Sequence, residues 1–349
     1  MADKQVDKKF CMSSFLMYRT IIDETKTFSD GIHPNFANMD FQRTGIQNSD
    51  ELLESLRSKV RTATADGKAA LALSGGIDSA ILAKFMPKGS TAYTFRCVVP
   101  GVQVTDETQN AAEFASACGL KHKIIEIYWE DVEQFAPALM AHKGMPIHSI
   151  EVQIYKAALE ARKDGYDKLI FGENADIIYG GMTGLLKKDW LIGEFINRYS
   201  YILPYQVLRE PIMITAPFLE FENDGYCDAY RFTNKYFRSE ALGTYNNACE
   251  LAGVKFIGPF SQTCLDGEID LNRIRAGDGK YLVREVFHRL YPETPIPPKI
   301  PMPRPTNEWL KDWTGPTRPE FYPHCTDGMT GDQKWLILAL ERFLNMLDT

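Results

Sequence analysis

The chain has 349 residues, 44% hydrophobic and 24% charged, with a formal net charge of −7. That length and balance fit about two globular domains, and the acidic sign argues against nucleic acid as the main partner, because phosphate contacts need a basic surface. No apolar run approaches the roughly 20 residues of a membrane span, no signal-peptide core opens the chain, and the seven cysteines are scattered without a C-x-x-C, so a cytoplasmic protein with reduced thiols, no metal cluster and no membrane partner is expected.

Residues 1–50 mix apolar residues with Gly and Asn turns and read as an irregular lead-in, with short strands as the only regular structure expected. Residues 51–64 carry apolar residues at helical spacing, with Asp50 as the candidate cap. Residues 69–73 are an apolar strand run that ends in Ser74-Gly-Gly-Ile-Asp-Ser79, after which Ile81, Leu82 and Phe85 continue at helical spacing. A strand, a glycine loop and a helix start together make an anion cradle. Gly75 and Gly76 let the backbone approach a ligand closely, and the free N–H groups of the helix N-terminus attract phosphate. Asp78 does not suit a bare anion nest. It makes sense with Mg²⁺ between its carboxylate and the phosphates. The loop is not a Walker loop, which needs G-x-x-x-x-G-K-[ST].

From there strands and helices alternate. Strands are expected at 92–99, 123–128 and 168–171, and helices at 106–118 and 151–163, with Asp106 and Glu107 in the first turn of the former. The alternation implies an α/β fold with a doubly wound parallel sheet. Ligands of such sheets gather outside the carboxyl ends of the strands, so the loops at Ser74, Phe95 and Gly172 converge on one crevice. After Gly172 come Glu173, Asp176 and Gly180-Gly181, a carboxylate-bearing loop suited to a cation or substrate. Beyond about residue 185 the pattern turns mostly helical. Gly277-Asp-Gly-Lys-Tyr-Leu-Val-Arg-Glu285 precedes a proline tract over 291–305 that holds Lys299. A cation in a rigid loop can be aimed at developing negative charge. An apolar helix pattern over 332–347 is expected to dock on the core, and no internal repeat is visible.

Ser74–Ser79 resembles the SGGxDS pyrophosphate loop of N-type ATP pyrophosphatases. The ordered set is SGGIDS, a DE-x-x-x-A helix, G-E-x-x-D-x-x-x-G-G, G-K-x-x-x-R-E and a Pro-rich lysine loop. Over roughly residues 50–310 this order resembles the synthetase domain of the asparagine synthetase family, including its β-lactam synthetase branch. The resemblance implies an adenine nucleotide α-hydrolase-like fold with helical C-terminal additions. It divides the chain into a lead-in (1–50), an ATP-binding α/β core (51–190) and a mostly helical part completing the synthetase domain (191–349).

The resemblance also implies that Mg²⁺-ATP adenylates a small-molecule carboxylate, releasing pyrophosphate, and that a nitrogen nucleophile then forms an amide and releases AMP. Ser74, Gly75, Gly76, Asp78 and Ser79 match the pyrophosphate loop. Asp78 is the matching Mg²⁺ ligand, with Asp176 as a second metal ligand. Leu73, Phe95 and Cys97 occupy adenine-facing positions. Gly172, Glu173 and Asp176 match the loop near the reacting carboxylate. Lys299 matches the lysine that stabilises the acyl-transfer transition state, and Arg284 matches the arginine of the preceding helix.

Two departures matter. The family's Glu-x-x-Asp segment falls by spacing on Ala141-His142-Lys143-Gly144, which carries no carboxylate. Lys143 as a phosphate partner, His142 as a base and Glu151 as a replacement acid are the candidate substitutes. Ala2 follows Met1 and Cys11 is internal, so the N-terminal cysteine of the family's glutaminases is absent. Nitrogen is therefore expected from free ammonia, an amine or a separate glutaminase subunit. The acceptor pocket is expected from 142–155, 173–190 and the helical half. Other readings are a tRNA-modifying or NAD-synthetase-like enzyme with the same loop, and a catalytically weakened ATP-binding subunit of another enzyme. Self-association is left open.

Overall fold

The computed structural model describes residues 4–36, 42–300 and 302–348. At its centre lie five parallel strands: β1 (Ala69–Ala72), β2 (Thr91–Cys97), β3 (Lys121–Ile127), β4 (Lys168–Ile170) and β5 (Lys255–Ile257). Their order is β5-β4-β1-β2-β3, and every pairing is parallel. Successive side chains of a strand point to opposite faces. Ala70 and Ala72 accordingly pack on one side of β1, while Ala69 and Leu71 pack on the other.

Both faces are covered by helices, as a parallel sheet requires. On the Ala70 face lie α1 (Lys8–Tyr18), α5 (Trp129–Lys143), α6 (Glu151–Lys163), α7 (Arg238–Leu251) and α9 (Gly331–Leu347). On the Leu71 face lie α2 (Ser49–Thr64), α3 (Ile77–Ala83), α4 (Thr108–Cys118) and α8 (Tyr281–Leu290). The chain winds from β1 through β2 to β3, then returns past β1 to β4. The winding direction therefore reverses between β1 and β4, and the loops after those two strands face each other there. A third cluster, rich in aromatic side chains and including Phe195, Tyr199, Phe218 and Phe232, fills the helical half.

Several local expectations are corrected. The lead-in holds a true helix, α1, capped by Asp7, whose carboxylate accepts from the Phe10 N–H at 3.0 Å. Its buried run from Cys11 to Tyr18 is apolar on nearly all sides, so it shows no amphipathic stripe in sequence. The cap of α2 is Asn48, not Asp50, because the Asn48 side chain accepts from the N–H groups of Asp50 and Glu51, each at 3.0 Å. Helix α5 gives no clear sequence signal, because Pro137 lies inside it and reads as a breaker. Asp106 and Glu107 precede α4 rather than opening it, and the Asp106 carboxylate accepts from the Thr108 N–H at 2.8 Å.

Candidate active site

The loop after β1 is held by its own serines. The Ser79 Oγ accepts from the Ser74 N–H at 3.0 Å and lies 2.9 Å from the Ser74 Oγ. The Ser74 Oγ accepts in turn from the Gly76 N–H at 3.2 Å. Gly76 then leads into α3, whose first-turn N–H groups open toward the same space. The loop after β4 must pass close by. A Cβ on Gly172 would lie 2.9 Å from the Asp78 Cβ, so only glycine lets the two loops meet. Asn174 sits at φ 71°, in the left-handed region that asparagine tolerates. That turn sets Glu173 and Asp176 on the wall of the same cavity, whose volume is about 570 Å³.

Four charged groups converge there. Both carboxylate oxygens of Asp78 are held by the Lys280 ammonium. The Asp176 Oδ1 lies 3.0 Å from the Lys299 Nζ and 3.2 Å from the Lys280 Nζ. Gly181 makes room for this arrangement, since a Cβ there would fall 2.0 Å from the Asp176 Oδ1. Burial pushes Asp78 up, against the pull of Lys280. Asp176 is also penalised by burial, but Lys280 and Lys299 together hold it below the usual carboxylate range. Lys280 loses solvation too, yet its two carboxylate partners keep it firmly protonated.

Two further carboxyls differ in kind. Burial pushes Glu173 up to about 7, opposed by a hydrogen bond from the Tyr245 hydroxyl. Burial also pushes Glu107 up to about 7, although its carboxylate accepts from the Gly75 N–H at the phosphate loop. Both groups line the cavity and both sit where a proton can come or go near neutral pH.

Most of the residues expected from the sequence meet at this cavity. Leu73, Ser74, Gly76, Asp78 and Ser79 line it from β1 and α3, with Gly75 tucked between them against Glu107 and Asn110. Phe95 lines it from β2, and Gly172, Glu173 and Asp176 from the loop after β4. Arg284 and Lys299 close the opposite wall. Cys97 does not reach the cavity: it is buried with its Sγ 3.5 Å from the Pro303 carbonyl. Sequence reasoning misses Lys280, Glu107 and Tyr245 as site residues. Lys280 lies in the G-K-x-x-x-R-E run itself, and its position next to a site arginine is a usable signal. Tyr245 gives none, because it lies in the middle of α7, far along the chain.

The segment 141–144 is corrected most sharply. It forms the end of α5 and lines no part of the cavity. The His142 Nδ1 lies 2.8 Å from the Asn247 Oδ1, and the buried Lys143 ammonium is paired with Glu151, whose side chain is fully enclosed. Neither Lys143 as a phosphate partner, nor His142 as a base, nor Glu151 as a replacement acid is open to a ligand in that cavity.

A parallel, doubly wound sheet with a glycine-rich phosphate loop at its switch point defines a nucleotide-binding α/β protein. The asparagine synthase profile matches residues 51–252, more than half of the chain, and the chain belongs to that family. No curated protein matches it. Among solved structures it is similar to an NH3-dependent NAD synthetase from Campylobacter jejuni (15% identity, 39% of this chain and 61% of that one, TM-score 0.26). It is also similar to an NMN synthetase from Francisella tularensis (13% identity, 73% and 100%, TM-score 0.25). A third is the U34-tRNA thiolase NcsA from Methanococcus maripaludis (14% identity, 71% and 82%, TM-score 0.25). The chain spans about three fifths of the length of the NAD synthetase. Among the described residues no helix is long and apolar enough to cross a membrane.

Proposed function

We propose that this protein is an ATP-dependent ligase that adenylates a small-molecule carboxylate and forms an amide with ammonia or an amine. The observation that carries the reading is the convergence of the Ser74–Ser79 loop, Lys280, Lys299 and Glu173 on one cavity. The loop N–H groups and Lys280 would hold the β- and γ-phosphates. The acceptor carboxylate attacks the α-phosphorus, the bond to the β-phosphate oxygen breaks, and pyrophosphate leaves. The nitrogen nucleophile then attacks the acyl carbon, the bond to the AMP oxygen breaks, and Glu173 takes the proton that the nitrogen sheds. Lys299 faces the charge that develops on the acyl oxygen. Preorganised cations of this kind contribute most of the electrostatic stabilisation in such transfers.

The donor chemistry fits one Mg²⁺ carried with the nucleotide. Asp78 and Asp176 would hold it together with phosphate oxygens, the mixed ligand set that Mg²⁺ prefers, once the phosphates draw the Lys280 ammonium off both Asp78 oxygens. Among the described residues no group of three or more acidic, histidine or cysteine side chains could hold a metal without them. Bound there, Mg²⁺ would neutralise phosphate charge.

ATP–pyrophosphate exchange tests the reading. Exchange on addition of one carboxylic acid from a panel, with AMP as the final nucleotide product, is the expected result. Nucleotide turnover that yields only ADP overturns it. A tRNA-modifying role finds no support in the −7 net charge, and the mobility of tRNA mixed with the protein checks it.

A further inference from the structure

The loop that carries Glu173 is gripped by a segment that lies outside the cavity. Residues 258–263 follow β5, the parallel neighbour of β4, and pack against the loop after β4. Ser261 sits in this segment, 2% exposed, and lines no part of the cavity. Its Oγ accepts from the Asn174 Nδ2 at 3.1 Å and donates to the Glu173 carbonyl at 3.4 Å. A hydroxyl carries one proton, so these two bonds fix each other's direction. Arg238, which opens α7, donates from its Nη2 to the Ser261 carbonyl at 3.0 Å. Gly258 permits the close approach, because a Cβ there would fall 2.6 Å from the Ser261 Oγ. Two residues beyond Ser261, the Thr263 Oγ1 accepts from the Tyr179 hydroxyl at 2.7 Å, so the segment also holds the far end of the loop.

Asn174 is a costly residue for its place. It holds φ 71°, a conformation that glycine takes without penalty. Its Oδ1 is enclosed and makes no hydrogen bond, although buried polar atoms are nearly always satisfied. A glycine would avoid both costs. What glycine lacks is the side-chain donor that reaches Ser261. Strain of this sort collects at functional sites, and here it falls on the turn that sets Glu173.

The geometry of one peptide makes the link. The Glu173 carbonyl and the Asn174 N–H belong to the same planar unit and point opposite ways. The Asn174 N–H donates to the Glu173 carboxylate, which also accepts from the Tyr245 hydroxyl. By holding the carbonyl, Ser261 aims the N–H at that carboxylate and resists a flip of the peptide.

We infer that Ser261 and Asn174 are positioning residues that lock the Glu173–Asn174 peptide, so that its N–H holds the Glu173 carboxylate where the amide-forming step needs a base. The inference rests on the ligase reading for the step it serves. It gives the segment after β5 a part in the reaction without any contact to substrate.

Two variants open this latch from opposite sides. Ser261→Ala removes the hydroxyl, and Asn174→Gly keeps the turn but removes the donor. In each, amide formation at saturating ammonium is expected to fall about tenfold, since a misplaced base loses part of the roughly 10²–10⁴ it contributes. The loss should lie in kcat rather than in the KM for ammonium, and ATP–pyrophosphate exchange, which needs no base, should fall far less. Ser261→Thr retains a hydroxyl and should keep most of the rate. A double-mutant cycle separates positioning from a merely structural role. Added to Glu173→Gln, Ser261→Ala should cost nothing further, because the latch acts through that carboxylate. Hydrogen–deuterium exchange over 172–181 reads the latch without catalysis, and both variants should lose protection there several-fold. Unchanged protection in both variants, or the full tenfold cost in the Glu173→Gln background, overturns the latch. Lost protection with no pyrophosphate exchange for any acid refutes the ligase reading and leaves the lock on the loop standing. Pyrophosphate exchange and amide formation that neither variant alters refute the latch and leave the ligase reading standing.

Discussion

At the nucleotide end of the cavity, the bonds that shape the phosphate loop run between residues at most five apart: Ser74, Gly76 and Ser79 brace one another. Behind Glu173 the polar groups come from α1, α5, α6 and α7, and their bonds span large sequence separations, as in Asn247 to Glu151 and to the Leu139 carbonyl. The first end is a local device that any strand–glycine–helix junction can build. The second exists only once distant helices have packed. The contrast teaches which part of the cavity is a general loop device and which part depends on this chain's own helix packing.

The largest effect should come from breaking the distant end. Lys143→Met leaves Glu151 charged and enclosed, and loss of one partner of a buried pair costs about 3–5 kcal/mol. Thermal unfolding should show it, and Lys143→Met with Glu151→Met should recover most of the loss. At the near end, Lys280→Met should lower ATP–pyrophosphate exchange by about 10²–10³, the range for one preorganised donor, and it also strands the buried Asp78 carboxylate at some cost in melting temperature. Lys280→Met with Asp78→Asn should recover the melting temperature but not the exchange, which would separate the two ends.

Glu173→Gln should spare exchange but slow amide formation by about 10², the usual range for a positioned base. The pH behaviour sharpens the comparison further. Glu173 sits at about 7 and acts as a base only when ionised, so amide formation should fall as pH drops below about 7. Glu107, also at about 7, is neutral below that value and charged above it. Nucleotide affinity should therefore fall as pH rises past about 7, and Glu107→Gln should flatten that limb in calorimetric titrations. The smallest effect belongs to the cap of α2: Asn48→Ala should cost about 1 kcal/mol of stability and leave exchange unchanged.

Much of the α/β core is legible because its signals are short-range. The strand–glycine–helix junction at 69–83, the Glu151–Lys163 helix and the Gly172–Gly181 loop all declare themselves within a dozen residues. Helix α1 is illegible because burial on every side erases the polar stripe that marks an amphipathic helix. Cys97 ends β2 on the same face as Phe95, but Pro303, from a segment more than two hundred residues on, packs over its thiol and takes its place on the cavity wall. Glu107 reads as a helix opener, although its carboxyl meets Gly75 across the loop.

By itself the sequence determined the nucleotide end: the order of its motifs, the parallel α/β class and the glycines that let two loops touch. Those features depend on backbone geometry and on residue types a few positions apart. Only the tertiary structure decided which cation faces Asp78 and that Lys143 and Glu151 neutralise each other out of reach of the cavity. The physical reason is that charge pairing and burial depend on which helices meet, and nothing in the spacing of residues along one chain records that meeting.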